Sequence, residues 1–278
     1  MPEIPEIRAH AERLSTDFAG AELAKFRPIT FTVLKTFSPR PEDAYGRTLD
    51  SVTSHAKYLM LNFGDITFVV HLMQGGRLRP DNKQSAKPRG GQARWVFADR
   101  TALLLTEPGT ERRAGVWVVT GDPVAQEPMA TLGPEATSLA PDELLGLLNA
   151  NNMRLHGFLR RQNITSGLGR RLANEICHRA KLSPFAMTGK LGIDEATAIH
   201  SAIHETVDQG LAYDRTREDM SKSSDRPSAV HARAGDACPI CDDEVRAVEY
   251  RKYTVNYCPT CQTSGKILAD NTTSKFLK

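Results

Sequence analysis

The sequence has no long apolar run. Nowhere among its 278 residues does an apolar stretch approach the roughly 20 needed to cross a bilayer, which excludes a membrane-spanning helix. No apolar leader opens the chain and no targeting segment is visible, so the expectation is a soluble, cytoplasmic protein. No internal repeat is present, which sets aside solenoid arrays. Net charge is small, +3 from 36 basic and 33 acidic residues, so bulk charge names no partner. Cysteine is scarce too, with only five, but its placement is informative.

Four of the five cysteines form Cys238-x2-Cys241 and, sixteen residues later, Cys258-x2-Cys261. Two such knuckles can set four thiolates around one zinc ion and fold a short ribbon that has almost no core of its own. The alternative is two disulfides in a secreted protein. It finds no leader in its favour and leaves Cys177 unpaired, a residue better read as a small buried hydrophobe on a helix.

Local patterns divide the rest. Ile4, Ile7, Ala11, Leu14 and Phe18 recur at helical spacing, with Pro5 suited to a first turn. From about residue 30 to 120, short β-branched or aromatic segments predict strands at 58–63, 67–72, 94–98, 102–106 and 116–119, separated by turn residues, as in an antiparallel sandwich or barrel. The polar stretch 81–91 predicts a mobile loop. After Gly133-Pro134 the spacing is helical over 141–148, 173–180 and 194–210, with Asp194 as an expected N-cap, and 215–228 predicts a loop. The expected organisation is α+β: 1–133 an N-terminal helix with a two-layer antiparallel β-sandwich, 134–236 a helical domain, 237–262 the ribbon, and 263–278 a polar tail.

Charge is unevenly distributed. Between Arg154 and Lys190 lie eight Lys or Arg against one acid, Glu175, a local excess that suits phosphate, although a solvated helix face has the same composition. The N-terminus is chemically pointed. With Met1 removed, Pro2 offers a secondary amine with a pKa near the roughly 8 of an α-amino group, able to attack an aldehydic carbon and form an iminium. Glu3 beside it can move protons; equally, Pro-Glu can simply start a helix.

Five features occur in one order: the Pro-Glu start, His55-Ala56-Lys57-Tyr58-Leu59, His71-Leu72-Met73-Gln74-Gly75-Gly76-Arg77-Leu78, the stretch from Leu159-Arg160-Arg161-Gln162 through Gly167-Leu168-Gly169 to Ala173-Asn174-Glu175, and the four-cysteine ribbon. The chain resembles the formamidopyrimidine-DNA glycosylase / endonuclease VIII family of base-excision repair enzymes over residues 1 to about 262. The resemblance implies a monomeric DNA glycosylase with AP-lyase activity, one structural zinc ion, a helix-two-turn-helix element within 134–236, and damaged DNA, duplex or single-stranded, as partner. It implies Pro2 as nucleophile at C1′, Glu3 as acid/base, Glu6 as a supporting carboxylate and Lys57 as a phosphate contact near the lesion. It further implies His71 on a DNA-facing loop, Gln74 as the plug for the gap left by a flipped base, and Arg112 as support for the orphaned partner base. The turn containing Arg170 and Arg171 would grip phosphate. Lys57 can alternatively be a solvated strand-end lysine, and His71 a satisfied core histidine.

Three departures from the family pattern stand out. Arg170 occupies a place where the family has asparagine. Tyr253, flanked by Arg251 and Lys252, replaces the ribbon's DNA-contacting arginine, leaving these three as the ribbon's candidate contacts. Ala114 replaces a void-filling phenylalanine. Gln74 and the missing phenylalanine lean toward the endonuclease VIII side and oxidised pyrimidines. Three alternatives accompany this reading: a non-catalytic binder of damaged DNA on the same scaffold, a purine-preferring (formamidopyrimidine/8-oxoguanine) glycosylase, and an unrelated zinc-ribbon transcription accessory protein, which would leave the first 180 residues unexplained.

Overall fold

The computed structural model describes residues 1–222, 225–250 and 253–268. They divide into two compact units, Met1–Thr131 with Asp214–Ser221, and Leu132–Tyr213 with the residues from Lys222 onward.

The first unit begins with α1 (Ile4–Phe18), whose apolar positions Ile4, Ile7, Ala11, Leu14 and Phe18 are all buried. Glu3 is its N-cap, and the Glu6 carboxylate accepts the Glu3 N–H at 2.8 Å, satisfying a donor the helix itself leaves free. Eight strands follow: β1 (Leu23–Pro28), β2 (Ser51–His55), β3 (Tyr58–Phe63), β4 (Ile66–His71), β5 (Arg77–Pro80), β6 (Gly91–Phe97), β7 (Ala102–Thr106) and β8 (Gly115–Thr120). They form two antiparallel four-stranded sheets, ordered β1-β6-β7-β5 and β2-β3-β4-β8. The layers meet through aromatic side chains. Phe26 of β1 and Trp95 of β6 lie 5.0 Å apart edge to face, and Phe68 of β4 is 5.9 Å from Trp95 and 5.6 Å from Phe63 of β3.

Strands β3 and β7 coincide with the expected ranges, β8 extends its range by one residue at each end, β4 lies one residue earlier than expected, and β6 starts three residues earlier and ends one residue earlier. Unanticipated are β1, β2 and β5, which bury only Leu23 and Phe26, Val52, and Leu78, too little apolar signal for a strand pattern. The 81–91 stretch is irregular, yet it is tied down: Asp81 is buried and pairs with Arg94 at 2.7 Å, while Arg94 also donates to the Ser85 carbonyl.

The second unit contains α2 (Pro141–Ala150), α3 (Leu155–Leu159), α4 (Arg170–Arg179) and most of α5 (Ile193–Arg215). The antiparallel hairpin of β9 (Arg246–Tyr250) and β10 (Tyr253–Tyr257) follows, then α6 (Pro259–Thr263). The five-residue α3 and α6 are too short for helical periodicity to reveal. Helix α5 starts one residue before Asp194, so Asp194 lies in the first turn rather than at the cap; the Glu195 carboxylate accepts the Gly192 N–H at 2.8 Å instead. Residues 216–222 and 225–228 have no regular secondary structure, and the polar tail beyond 268 lies outside the described residues. Among the described residues, no helix is long and apolar enough to cross a membrane.

Candidate functional site

The N-terminal segment and the β2–β3 turn carry the first cluster. Pro2 is buried, Glu3 is 5% exposed, Glu6 2%, Lys57 7% and His71 9%. A lysine so enclosed departs from the solvated strand-end reading. Its position is set by a two-residue hairpin turn, Ala56-Lys57, between the paired residues His55 and Tyr58. Ala56 there has φ of 51°, a left-handed conformation costing a non-glycine residue on the order of 1 kcal/mol.

His71 ends β4 instead of lying on an exposed loop, which matches the core-histidine alternative. Its ring meets Tyr58 edge to face at 4.7 Å, and its Nδ1 accepts the Met73 N–H at 3.1 Å, leaving the proton on Nε2. Burial pushes its pKa down to about 4, and the charges of Lys57 and the chain's amino terminus push the same way. His71 is therefore neutral at pH 7, and both cations are close enough for it to feel them.

The loop after β4 holds Gln74 exposed at its tip. Gly76 makes this turn possible: its N–H donates to the Leu72 carbonyl, and a Cβ there would lie 2.1 Å from that oxygen. The 108–114 loop packs beside it, with exposed Arg112. A Cβ on Gly75 would touch Pro108 at 3.2 Å. A cavity of about 510 Å³ joins the two loops and is lined by Gly75, Gly109 and four arginines, Arg77, Arg79, Arg89 and Arg112. Arg79 pairs with Asp219. Arg89 and Arg79 escaped sequence reasoning, because only the pairing of both β5 and β6 with β7 brings them to one recess. Ala114 is buried, and its N–H is held by the Glu107 carboxylate at 2.6 Å, so it cannot act as a wedge.

In the second unit, α4 starts at Arg170, which is exposed, with Gly169 as N-cap. Arg171 is different: it is buried and donates to the carbonyls of Arg226 and Pro227 at 2.8 and 2.6 Å. The structure thus uses Arg171 to hold the 226–227 backbone. Glu175 does similar work on the next residues, accepting the N–H groups of Ala229, Val230 and His231. Arg251 and Lys252 lie outside the described residues. Tyr253 stacks on Tyr250, centroids 4.7 Å apart and planes 13° off parallel, and the Arg160 guanidinium lies 4.3 Å above the Tyr253 ring.

The four ribbon cysteines come together without bonding to one another. Cys241 and Cys258 sulfurs are 3.4 Å apart, Cys241 and Cys261 3.4 Å, and Cys238 and Cys261 3.9 Å. Such spacing suits thiolates around one ion with metal–sulfur bonds of about 2.3 Å. A fifth donor was missed: His178 of α4, whose Nε2 is 3.3 Å from the Cys238 sulfur and which clusters with Cys238, Cys258 and Cys261 within 4.8 Å. Its distance in sequence hid it. Cys177, fully buried, has its thiol pushed far up by burial and is chemically inert.

A buried N-terminal helix start, a two-layer sandwich, and a helical unit ending in a four-cysteine hairpin define an architecture shared with solved structures of a formamidopyrimidine-DNA glycosylase. Lactococcus lactis Fpg bound to DNA containing N7-benzyl-Fapy-dG superposes with a TM-score of 0.84 at 20% identity, covering 94% of this chain and all of that one. The same enzyme bound to AP-site DNA gives 0.83 at 19%, with the same coverage. Residues 1–117 match the formamidopyrimidine-DNA glycosylase N-terminal domain. An uncharacterized formamidopyrimidine-DNA glycosylase-like protein of Mycobacterium tuberculosis is 40% identical over 156 residues, spanning 53% of this chain and 94% of that protein. Formamidopyrimidine-DNA glycosylase of Geobacter metallireducens is 28% identical over 274 residues, spanning 95% and 100%. The chain belongs to the formamidopyrimidine-DNA glycosylase family.

Proposed function

We propose that this protein is a base-excision DNA glycosylase with AP-lyase activity, acting through Pro2 once Met1 is removed. The observation that carries the reading is the gathering of the chain's amino terminus, buried Lys57 and neutral His71 in one unit, at the start of a helix whose first carboxylates, Glu3 and Glu6, are also buried. The Pro2 nitrogen bonds to C1′ of the damaged nucleotide as the N-glycosidic bond breaks and its electrons leave with the base. Glu3 gives a proton to the opening sugar. The resulting iminium acidifies C2′; loss of that proton expels the 3′ phosphate by β-elimination, and a second elimination expels the 5′ phosphate. Water then releases the sugar remnant and regenerates the amine. Glu6, which accepts the Glu3 N–H, fixes the backbone that presents both groups. Lys57 supplies positive charge for phosphate near the lesion, Gln74 fills the vacated stack, and Arg112, with the arginine-lined recess beneath it, faces the other strand.

The ribbon cysteines hold one structural zinc ion in this reading, with the His178 N–H directed at the Cys238 thiolate. Gln74, together with buried Ala114 in place of a wedge, supports a preference for oxidised pyrimidines. The names of the relatives favour formamidopyrimidine or other oxidised purines, and cleavage of oligonucleotides carrying one lesion each decides between them. A non-catalytic damaged-DNA binder is the competing reading, and the altered residues Arg170 and Tyr253 are what speak for it.

Borohydride trapping tests the mechanism. Met1-free protein should form a covalent adduct on abasic DNA, and Pro2→Gly should lose it by at least about 100-fold. An equal yield from Pro2→Gly, or no adduct from the unaltered protein, would sink it. Mass spectrometry showing Met1 retained selects the binder.

A further inference from the structure

Arg160 is held in place from two sides. It is the C-cap of α3, and the Gln162 amide donates to the carbonyls of Arg160 and Leu168 at 3.0 and 2.8 Å while accepting the Gly167 N–H at 3.0 Å. The end of α3 is thereby fixed to the turn that opens α4. At its other end the guanidinium rests on the Tyr253 ring, 4.3 Å from the centroid, and Tyr253 is itself backed by Tyr250. Stacking of this kind uses the flat face of the guanidinium and leaves its in-plane N–H donors available.

Among the described residues no carboxylate pairs with Arg160, whereas Arg179, Arg233 and Arg246 of the same unit pair with Glu205, Asp236 and Glu244. Nor does the neighbouring histidine offset the charge. His156 is buried, with its ring stacked 6.1 Å from Tyr253, and it stays neutral: burial pushes its pKa down to about 3, with the charges of Arg160, His231 and Arg170 adding to the effect. Arg160 and the exposed Arg170 at the start of α4 both act on this one ring. A half-buried guanidinium seated on an aromatic ring and, among the described residues, without a carboxylate partner, next to a helix N-terminus that carries a second arginine, is complementary to a phosphodiester.

We infer that Arg160, seated on the Tyr253 ring, is a phosphate-gripping residue for bound DNA, supplying from α3 the cation that the ribbon lacks at position 253. Tyr253 is its positioning residue: the ring holds the guanidinium in place and itself contributes no charge. The inference rests on the DNA-binding reading above.

The test measures binding of the full-length, metal-loaded protein to an abasic-site duplex across a series of KCl concentrations. Arg160→Ala should weaken binding about tenfold near physiological salt and flatten the log Kd versus log salt slope by about 0.9, one phosphate contact. Tyr253→Leu should lose part of the affinity. Placing Tyr253→Arg on the Arg160→Ala background should restore the slope. Melting temperature and metal content, measured for each variant, identify any that fails to fold, and Arg160→Gln serves as the second charge-removing variant. Unchanged affinity and slope in Arg160→Ala and Arg160→Gln, with unaltered protein binding normally, overturn this inference alone. Absence of binding by the unaltered protein overturns the DNA-binding reading and this inference with it.

Discussion

The β-sandwich and the ribbon are held together in different ways. The sandwich buries a continuous apolar core running from Ile7 and Leu14 of α1 through Leu59, Phe68, Trp95 and Leu105 of the sheets. Burying each such side chain contributes roughly 1.5–3 kcal/mol, so the unit has no need of any other cross-link. The ribbon's own cluster consists of Val230, Cys238, Val245 and Cys258, of which two are candidate metal ligands. Four residues cannot offset the conformational entropy of a hairpin and its knuckles. In the proposed reading the ribbon's order comes from one zinc ion, together with anchors on α4. Those anchors are visible: Asn174 contacts Asn256, Glu175 holds the 229–231 backbone, and His178 reaches Cys238.

Stripping the proposed zinc ion should break this contrast most. Chelation is expected to raise amide hydrogen exchange across β9 and β10 to nearly unprotected rates while β3 and β4 keep their protection, because structural zinc is worth about 10–16 kcal/mol in small ribbons. Equal loss of protection in both units would show that the contrast is wrong. Cutting the sandwich core is the converse. Trp95→Ala should destabilise the first unit by about 3–5 kcal/mol in denaturant unfolding, with metal content unchanged.

Acid should act more gently. His10 and His71 in the first unit have pKa values pushed down to about 4, and His156 in the second to about 3, burial being the main cause for all three. Each binds its proton less readily when folded than when unfolded, where the value is 6.5. The stability this gives is complete above about pH 6.5 and is lost as pH falls toward 4, by up to about 1.4 kcal/mol per pH unit per histidine. Melting temperature followed from pH 7 to 4.5 should hold to about pH 6.5 and fall below it, and His71→Gln should fall less steeply. A flat profile would contradict the burial of these rings.

Strong local signals carried over well. The α1 stripe, the short apolar runs of β3 and β7 and the cysteine knuckles are all properties of neighbouring residues, and each was legible before the fold was known. Strands with one or two buried residues, such as β2 and β5, were not legible, because pairing with a stronger neighbour supplies what their own pattern lacks. Side-chain roles were harder still. Arg170 and Arg171 are adjacent and chemically identical, yet one is exposed at a helix start and the other is buried on two carbonyls. One step along a helix turns the side chain by about 100°, and nothing in the residue type says which direction faces solvent.

By itself, the sequence determined the ordered set of motifs, the chemistry available at Pro2 and Glu3, and the spacing that lets four thiols share an ion. Tertiary structure alone decided that His178 stands beside Cys238, sixty residues away, that Arg77, Arg79, Arg89 and Arg112 line one recess, and that Arg160 rests on Tyr253. The first group depends on residues close along the chain, where covalent geometry limits the outcomes. The second depends on contacts between distant segments, which are set only when strands pair and helices pack.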